Sequence, residues 1–236
     1  MSHDWTPDRA IAATPPAGMG EENWFAGVTS LFRRRYSTDP AGADVAVLGV
    51  PFDQAVSNRP GTRFGPRAIR AASSNLSWPG GPWRWPTDPF ATLDVVDTGD
   101  VAFDTGAPES LAAAAETRAA NTIESGAKLL ALGGDHSITY PLLKAHAAKY
   151  GPLALIQFDA HSDTWREPTQ RLDHGTMFFH AVQEGLIDPR RSIQVGIRSA
   201  NPETHGLGIL NADAIADATP AEIARAIKAR VGSTPA

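Results

Sequence analysis

Apolar and polar positions along the chain follow two periods. Val45-Ala46-Val47-Leu48-Gly49-Val50, Ala127 to Leu132 and Pro152 to Phe158 are short, nearly continuous apolar runs. Such runs predict strands buried on both faces, as in a parallel sheet covered by helices. Thr92 to Val96 and Ser192 to Ile197 add two more strands. Segments of helical period lie between them: Pro66 to Ser74, Ser110 to Ser125, Tyr140 to Tyr150, Thr176 to Glu184 and Pro220 to Val231. Pro66 stands where its fixed φ suits a first helical turn. Asn23 to Tyr36 has the pattern of a short amphipathic helix. Strands alternating with helices imply an α/β fold, with a mostly parallel sheet between two helical layers. Residues 1–22, rich in proline and glycine, read as a flexible N-terminal arm. Residues 23–236 read as a single domain. Trp78 to Pro89 holds three tryptophans and four prolines, and reads as an ordered surface loop.

Composition narrows the functional classes. A 42% hydrophobic fraction over 236 residues is enough for a real core. The net charge of -5 argues against nucleic acid as a partner, because a binder of phosphates shows a basic field. Arg33-Arg34-Arg35 reads as a solvated helix end. The absence of cysteine excludes disulfides and thiolate metal sites and fits a reducing compartment. No span is apolar enough for a bilayer, and the polar N-terminus lacks a signal-peptide core. The expectation is a cytoplasmic protein with no membrane partner.

The chemistry concentrates at two strand ends. Asp159-Ala160-His161-Ser162-Asp163 ends the Pro152 strand, and the alternation a strand imposes turns Asp159, His161 and Asp163 to one face. Parallel sheets place their sites beyond such carboxyl ends. His136 follows the Ala127 strand through Gly133 and Gly134, which permit a tight turn. Two imidazoles and two carboxylates suit a divalent ion of the manganese type. Single residues of these kinds at strand ends are more often caps or turn formers. Clustered carboxylates, however, repel one another without a cation.

Several motifs, taken in order, resemble those of agmatinases in the arginase and ureohydrolase superfamily. They are Gly49 to Asp53, Asn58 to Arg67, Asp97 to Val101, Gly133 to Ser137, Asp159 to Asp163, His174 to Phe178 and Gln194 to Arg198. The resemblance covers about Val45 to Val231 and implies a three-layer αβα arginase-like fold. It also implies two manganese ions: His136 and Asp163 on one, His161 on the other, and Asp159 bridging them. A hydroxide held between the ions would attack a guanidinium carbon, releasing urea and an amine. His174 matches the family's proton-moving histidine; a His-Gly pair in a loop otherwise reads as a turn. Family members are commonly trimers or hexamers, so a homo-oligomer is implied.

The resemblance also suggests the substrate. Arginases follow Asp-x-His-x-Asp with Asn and Ser residues that read the amino-acid head of arginine. Here the segment is Thr164-Trp165-Arg166-Glu167-Pro168-Thr169. Agmatine, giving putrescine and urea, therefore comes first, and guanidinobutyrate or another guanidino acid next. Arg166 or Arg171 could pair a substrate carboxylate in a bidentate way, against the plainer expectation that each is a solvated surface residue. His146 reads as an exposed helix residue, His180 as packed, and His205 as lining the pocket. The family's second Asp-x-Asp pair and its guanidinium-binding glutamate have no counterpart before Ala236. The fold is therefore expected to lack its C-terminal strands and to leave an apolar sheet edge uncovered. A truncated, non-catalytic member is the competing expectation.

Overall fold

The computed structural model describes residues 27–76, 89–166, 169 and 171–232. The described residues fall into two compact units, one from those up to 54 with those of 59–134, the other from 55–58 with those from 135 onward. The arm at residues 1–22 and most of the tryptophan-rich segment lie outside the described residues.

The first unit is built on a parallel four-stranded sheet. Its strands are β1 (Arg35–Tyr36), β2 (Val45–Val50), β3 (Val95–Asp100) and β4 (Lys128–Gly133), in the order β1-β3-β2-β4. β2 lies between β3 and β4, which explains why its side chains carry almost no polar pattern and are nearly all buried. Helices α1 (Gly65–Ser73) and α2 (Ser110–Glu124) fall where their periodicity predicts them. β3 runs further than the apolar run suggested, because its polar residues are satisfied inside. Arg70 of α1 grips the buried Asp97 carboxylate through two nitrogens at 2.7 and 2.9 Å. Thr98 donates its hydroxyl to the Val47 carbonyl at 2.7 Å.

The expected helix at Asn23–Tyr36 is absent from its described part. Leu31–Arg33 forms a 3-10 turn, with Phe32 and Arg33 at positive φ, and β1 then pairs with β3. The Leu31 amide donates to Asp97 at 2.8 Å, so a tertiary partner overrides the helical period. The arginine triplet is not a solvated helix end either. Arg33 is buried, Arg34 lies 4.4 Å from the Phe90 ring centre, and Arg35 pairs with Asp94 at 3.2 Å.

The second unit has a parallel three-stranded sheet of β5 (Ile156–Phe158), β6 (Ile193–Ile197) and β7 (Gly208–Asn211). Helices α3 (Thr139–Tyr150), α4 (Met177–Gln183), α5 (Ala212–Ile215) and α6 (Pro220–Val231) complete it. Its core gathers Met177, Phe178, Ala181, Ile187 and Leu207. A capping box between Thr219 and Glu222 starts α6, satisfying amides that the first turn leaves unpaired. β7 and α5 have no counterpart in the apolar pattern, because β7 alternates and is only half buried. Both sheets are parallel, and each ends on an edge strand with outward apolar side chains. Leu130 on β4 is 44% exposed and Phe158 on β5 is 69% exposed. Among the described residues no helix is long and apolar enough to cross a membrane.

Candidate metal centre

β4 ends in a glycine turn that local geometry demands. Gly134 has φ +76, and a Cβ there would press on the Val50 and Phe52 backbones. Asp135 follows and caps the 3-10 turn His136–Ile138. Its Oδ1 accepts from the Ser137 amide at 2.9 Å, and its Oδ2 from the Ala55 amide at 3.0 Å. This carboxylate fixes where the His136 ring leaves the backbone.

The other expected ligands sit on a loop rather than a strand. β5 stops at Phe158, so strand alternation does not arrange Asp159, His161 and Asp163. Asp163 instead has φ +51, a conformation that is uncommon for a residue with a Cβ. Bonds from several sides hold the loop there. The Ala160 carbonyl accepts from the Arg198 amide at 2.9 Å, Ser162 from Gln194 Nε2 at 2.6 Å, and Asp163 from the Phe178 amide at 3.1 Å. Thr164 accepts from His205 Nε2 at 3.0 Å, while Asn201 Nδ2 donates to the Ser162 and Thr164 hydroxyls, each at 3.0 Å.

This frame brings three of the four expected ligands together. His136 Nδ1 lies 2.7 Å from Asp163 Oδ2 and 3.4 Å from Asp159 Oδ2. One donor atom from each of His136, Asp159 and Asp163 falls within 4.8 Å of the other two. Two carboxylates and an imidazole this close form a donor set for a first-row or hard divalent ion, which would cancel their mutual repulsion. The Phe178 ring meets the His136 ring edge-on at 5.5 Å and limits its rotation.

His161 is outside the trio. Its side chain is 68% exposed and its Nδ1 is 3.7 Å from Asp159 Oδ1. His174 lies in a turn where the Gly175 amide donates to Asp173 at 2.8 Å, and its Nε2 meets Ser57. His205 clamps the ligand loop with its ring 5.2 Å from Phe179. His180 packs beside Phe179 and Tyr140, as expected. His146 is half buried, with Nδ1 2.7 Å from the Leu142 carbonyl, rather than exposed.

Asp135 and Gln194 stand inside recognised motifs, but neither they nor Gln157 and Asn201 were given a role in the sequence, although they set the positions of the candidate ligands. Gln157 and Gln194 left a signal, since each is a polar residue inside an otherwise apolar strand and both are buried.

The arginase family model matches residues 43–236. The chain belongs to the arginase family. Among curated relatives it is 51% identical over 226 residues to an agmatinase from Chromobacterium violaceum, covering 93% of this chain and 70% of that one. It is 44% identical over 200 residues to an agmatinase from Photorhabdus laumondii, covering 85% of this chain and 64% of that one. A crystal structure of a hypothetical agmatinase from Burkholderia thailandensis superposes with TM-score 0.87 at 47% identity, covering 96% of this chain and 71% of that chain. Proclavaminate amidino hydrolase from Streptomyces clavuligerus gives 0.79 at 35% identity, covering 89% and 72%. The fold is thus that of the arginase family. The chain spans about two thirds of the length of its curated relatives, 70% of one and 64% of another.

Proposed function

We propose that this chain is an amidinohydrolase that splits a guanidino compound, agmatine first, into urea and an amine, with manganese as the metal. The observation that carries the reading is the convergence of His136, Asp159 and Asp163 within 4.8 Å in a chain of the arginase family. Those three residues would hold the ion, with His161 as a fourth donor from the same loop. Divalent ions bound there supply Lewis acidity and a nucleophilic water at neutral pH. His174 holds a proton on its imidazole and passes it toward the departing amine.

Agmatine is favoured over guanidino acids because both candidate carboxylate-binding arginines have neighbours of their own. The Arg166 guanidinium lies 5.7 Å from the Phe179 ring centre, and Arg171 is 3.8 Å from Asp173. The 44% and 51% identities to agmatinases support the same order.

A second reading, a metal-binding but non-catalytic member, is favoured by charge. Two divalent ions carry about four positive charges, against two carboxylates and a hydroxide here. Urea release by the purified 236-residue protein with manganese, from agmatine, arginine and guanidinobutyrate, decides between them. The hydrolase reading expects agmatine to be fastest. No urea from any of the three, with less than one tightly held metal per chain, overturns it.

A further inference from the structure

His174 is held by Ser57, 117 positions away and just outside the Asn58 to Arg67 motif. Its Nε2 lies 3.2 Å from the Ser57 backbone nitrogen and 3.2 Å from the Ser57 hydroxyl oxygen. A backbone amide has a hydrogen to give and no lone pair to offer, so the ring nitrogen it meets is an acceptor. In a neutral imidazole, an acceptor at Nε2 leaves the hydrogen on Nδ1. A free histidine side chain prefers the opposite tautomer, with its hydrogen on Nε2.

The segment that presents Ser57 is itself anchored. Two residues earlier, the Ala55 amide donates to Asp135 Oδ2 at 3.0 Å, and the other oxygen of that carboxylate caps the turn bearing His136. On the other side, the Gly175 carbonyl after His174 accepts from the Trp165 amide at 3.0 Å, two residues beyond Asp163. The Ala55–Ser57 segment thus ties the His174 ring to the turn that carries His136, and Gly175 ties its backbone to the loop that carries Asp163.

We propose that Ser57 is a positioning residue that presents His174 as its Nδ1-protonated tautomer, with the amide supplying the hydrogen bond to Nε2. The Ser57 hydroxyl, which both donates and accepts, receives the bond from Nε2–H when the ring takes a second proton. The functional consequence rests on the reading of His174 as the group that moves a proton. The hydrogen bond itself does not.

Nitrogen NMR of the 236-residue protein labelled at histidine tests this, with the His174 signals assigned by their loss in His174→Gln. The expected pattern is an acceptor-type shift at Nε2, an N–H-type shift at Nδ1, and a scalar coupling between the Ser57 amide nitrogen and His174 Nε2. Ser57→Ala keeps the amide and should keep the tautomer. Ser57→Pro removes the amide hydrogen and should return the ring to Nε2–H. An Nε2–H tautomer in the parent chain, or a missing coupling, overturns the proposal without any variant. So does an Nδ1–H tautomer that survives in a folded Ser57→Pro chain. The expected tautomer without urea release leaves the hydrogen bond standing and overturns the hydrolase reading; urea release with the wrong tautomer does the reverse.

Discussion

Gln194 donates its side-chain amide to the carbonyl of Ser162 at 2.6 Å and to the side-chain oxygen of Gln157 on the neighbouring strand. Both glutamines are buried, and Gln157 in turn donates to the His161 carbonyl at 3.2 Å. Two strand residues therefore satisfy the backbone of the loop that bears Asp159, His161 and Asp163. Inside a low-dielectric core such a polar pair is strong when complete and costly when broken.

Gln194→Leu leaves the Ser162 carbonyl and the Gln157 side-chain oxygen without that donor. The expected loss is about 1–3 kcal/mol of stability, with a roughly 10–100-fold weaker affinity for manganese, as for other residues that orient ligands. Thermal unfolding and metal titration measure the two effects. Unchanged metal affinity would show that the loop keeps its shape without this bond.

On the proposed reading, manganese content separates the ligand roles. Asp163→Ala and His161→Ala should each lower it, while His174→Ala should spare the metal and lower turnover. Elemental analysis after dialysis reads the content. Full metal in His161→Ala would restrict the ligand set to His136, Asp159 and Asp163.

A buried carboxylate sets an acid limit on the first unit. The Arg63 side chain hydrogen-bonds Asp53 and, with the Gly61 and Arg63 amides, holds its carboxyl below the ordinary value of 3.8, although burial pushes the other way. A carboxyl lowered by folding stabilises the native state above its unfolded pKa. That contribution is lost as pH falls from about 4 through the lower folded value. Tm measured against pH should therefore fall more steeply below about pH 4 in the parent than in Asp53→Asn. Parallel curves would remove Asp53 from the acid transition.

The cap of α6 is a separable contribution. Thr219 Oγ1 accepts from the Glu222 amide at 3.3 Å, and the Glu222 carboxylate accepts from the Thr219 amide at 2.8 Å. Thr219→Ala should cost about 0.5–2 kcal/mol and Thr219→Ser much less. Denaturant midpoints of the two variants test the difference.

The elements marked by unbroken apolar runs or clear helical periods were legible in the sequence. β2, β6 and α2 fall within a residue or two of their expected bounds because burial on both faces of a strand, or along one stripe of a helix, is written into the apolar pattern; β4 and α6 do so too, marked by an apolar run and by a Thr-Pro-x-Glu start rather than by burial. The segment before β1 was not legible, since Leu31 exchanges a helical bond for the Asp97 carboxylate, a partner 66 residues away. β7 was missed for a related reason, because a half-buried strand of four residues carries too little apolar signal.

The candidate site divides the same way. Sequence by itself determined which side chains have the chemistry, through the spacing of His136, Asp159, His161 and Asp163 and the order of motifs around them. Only the tertiary structure decided how they meet. Strand alternation does not do it, because Phe158 is the last residue of β5; a loop with Asp163 at positive φ does. That conformation is unfavourable on its own and is held by bonds from Gln194, Asn201, Phe178 and His205. Those residues lie 15 or more positions along the chain from Asp163. A local pattern carries the identity of a donor, whereas its direction depends on partners that only folding brings near.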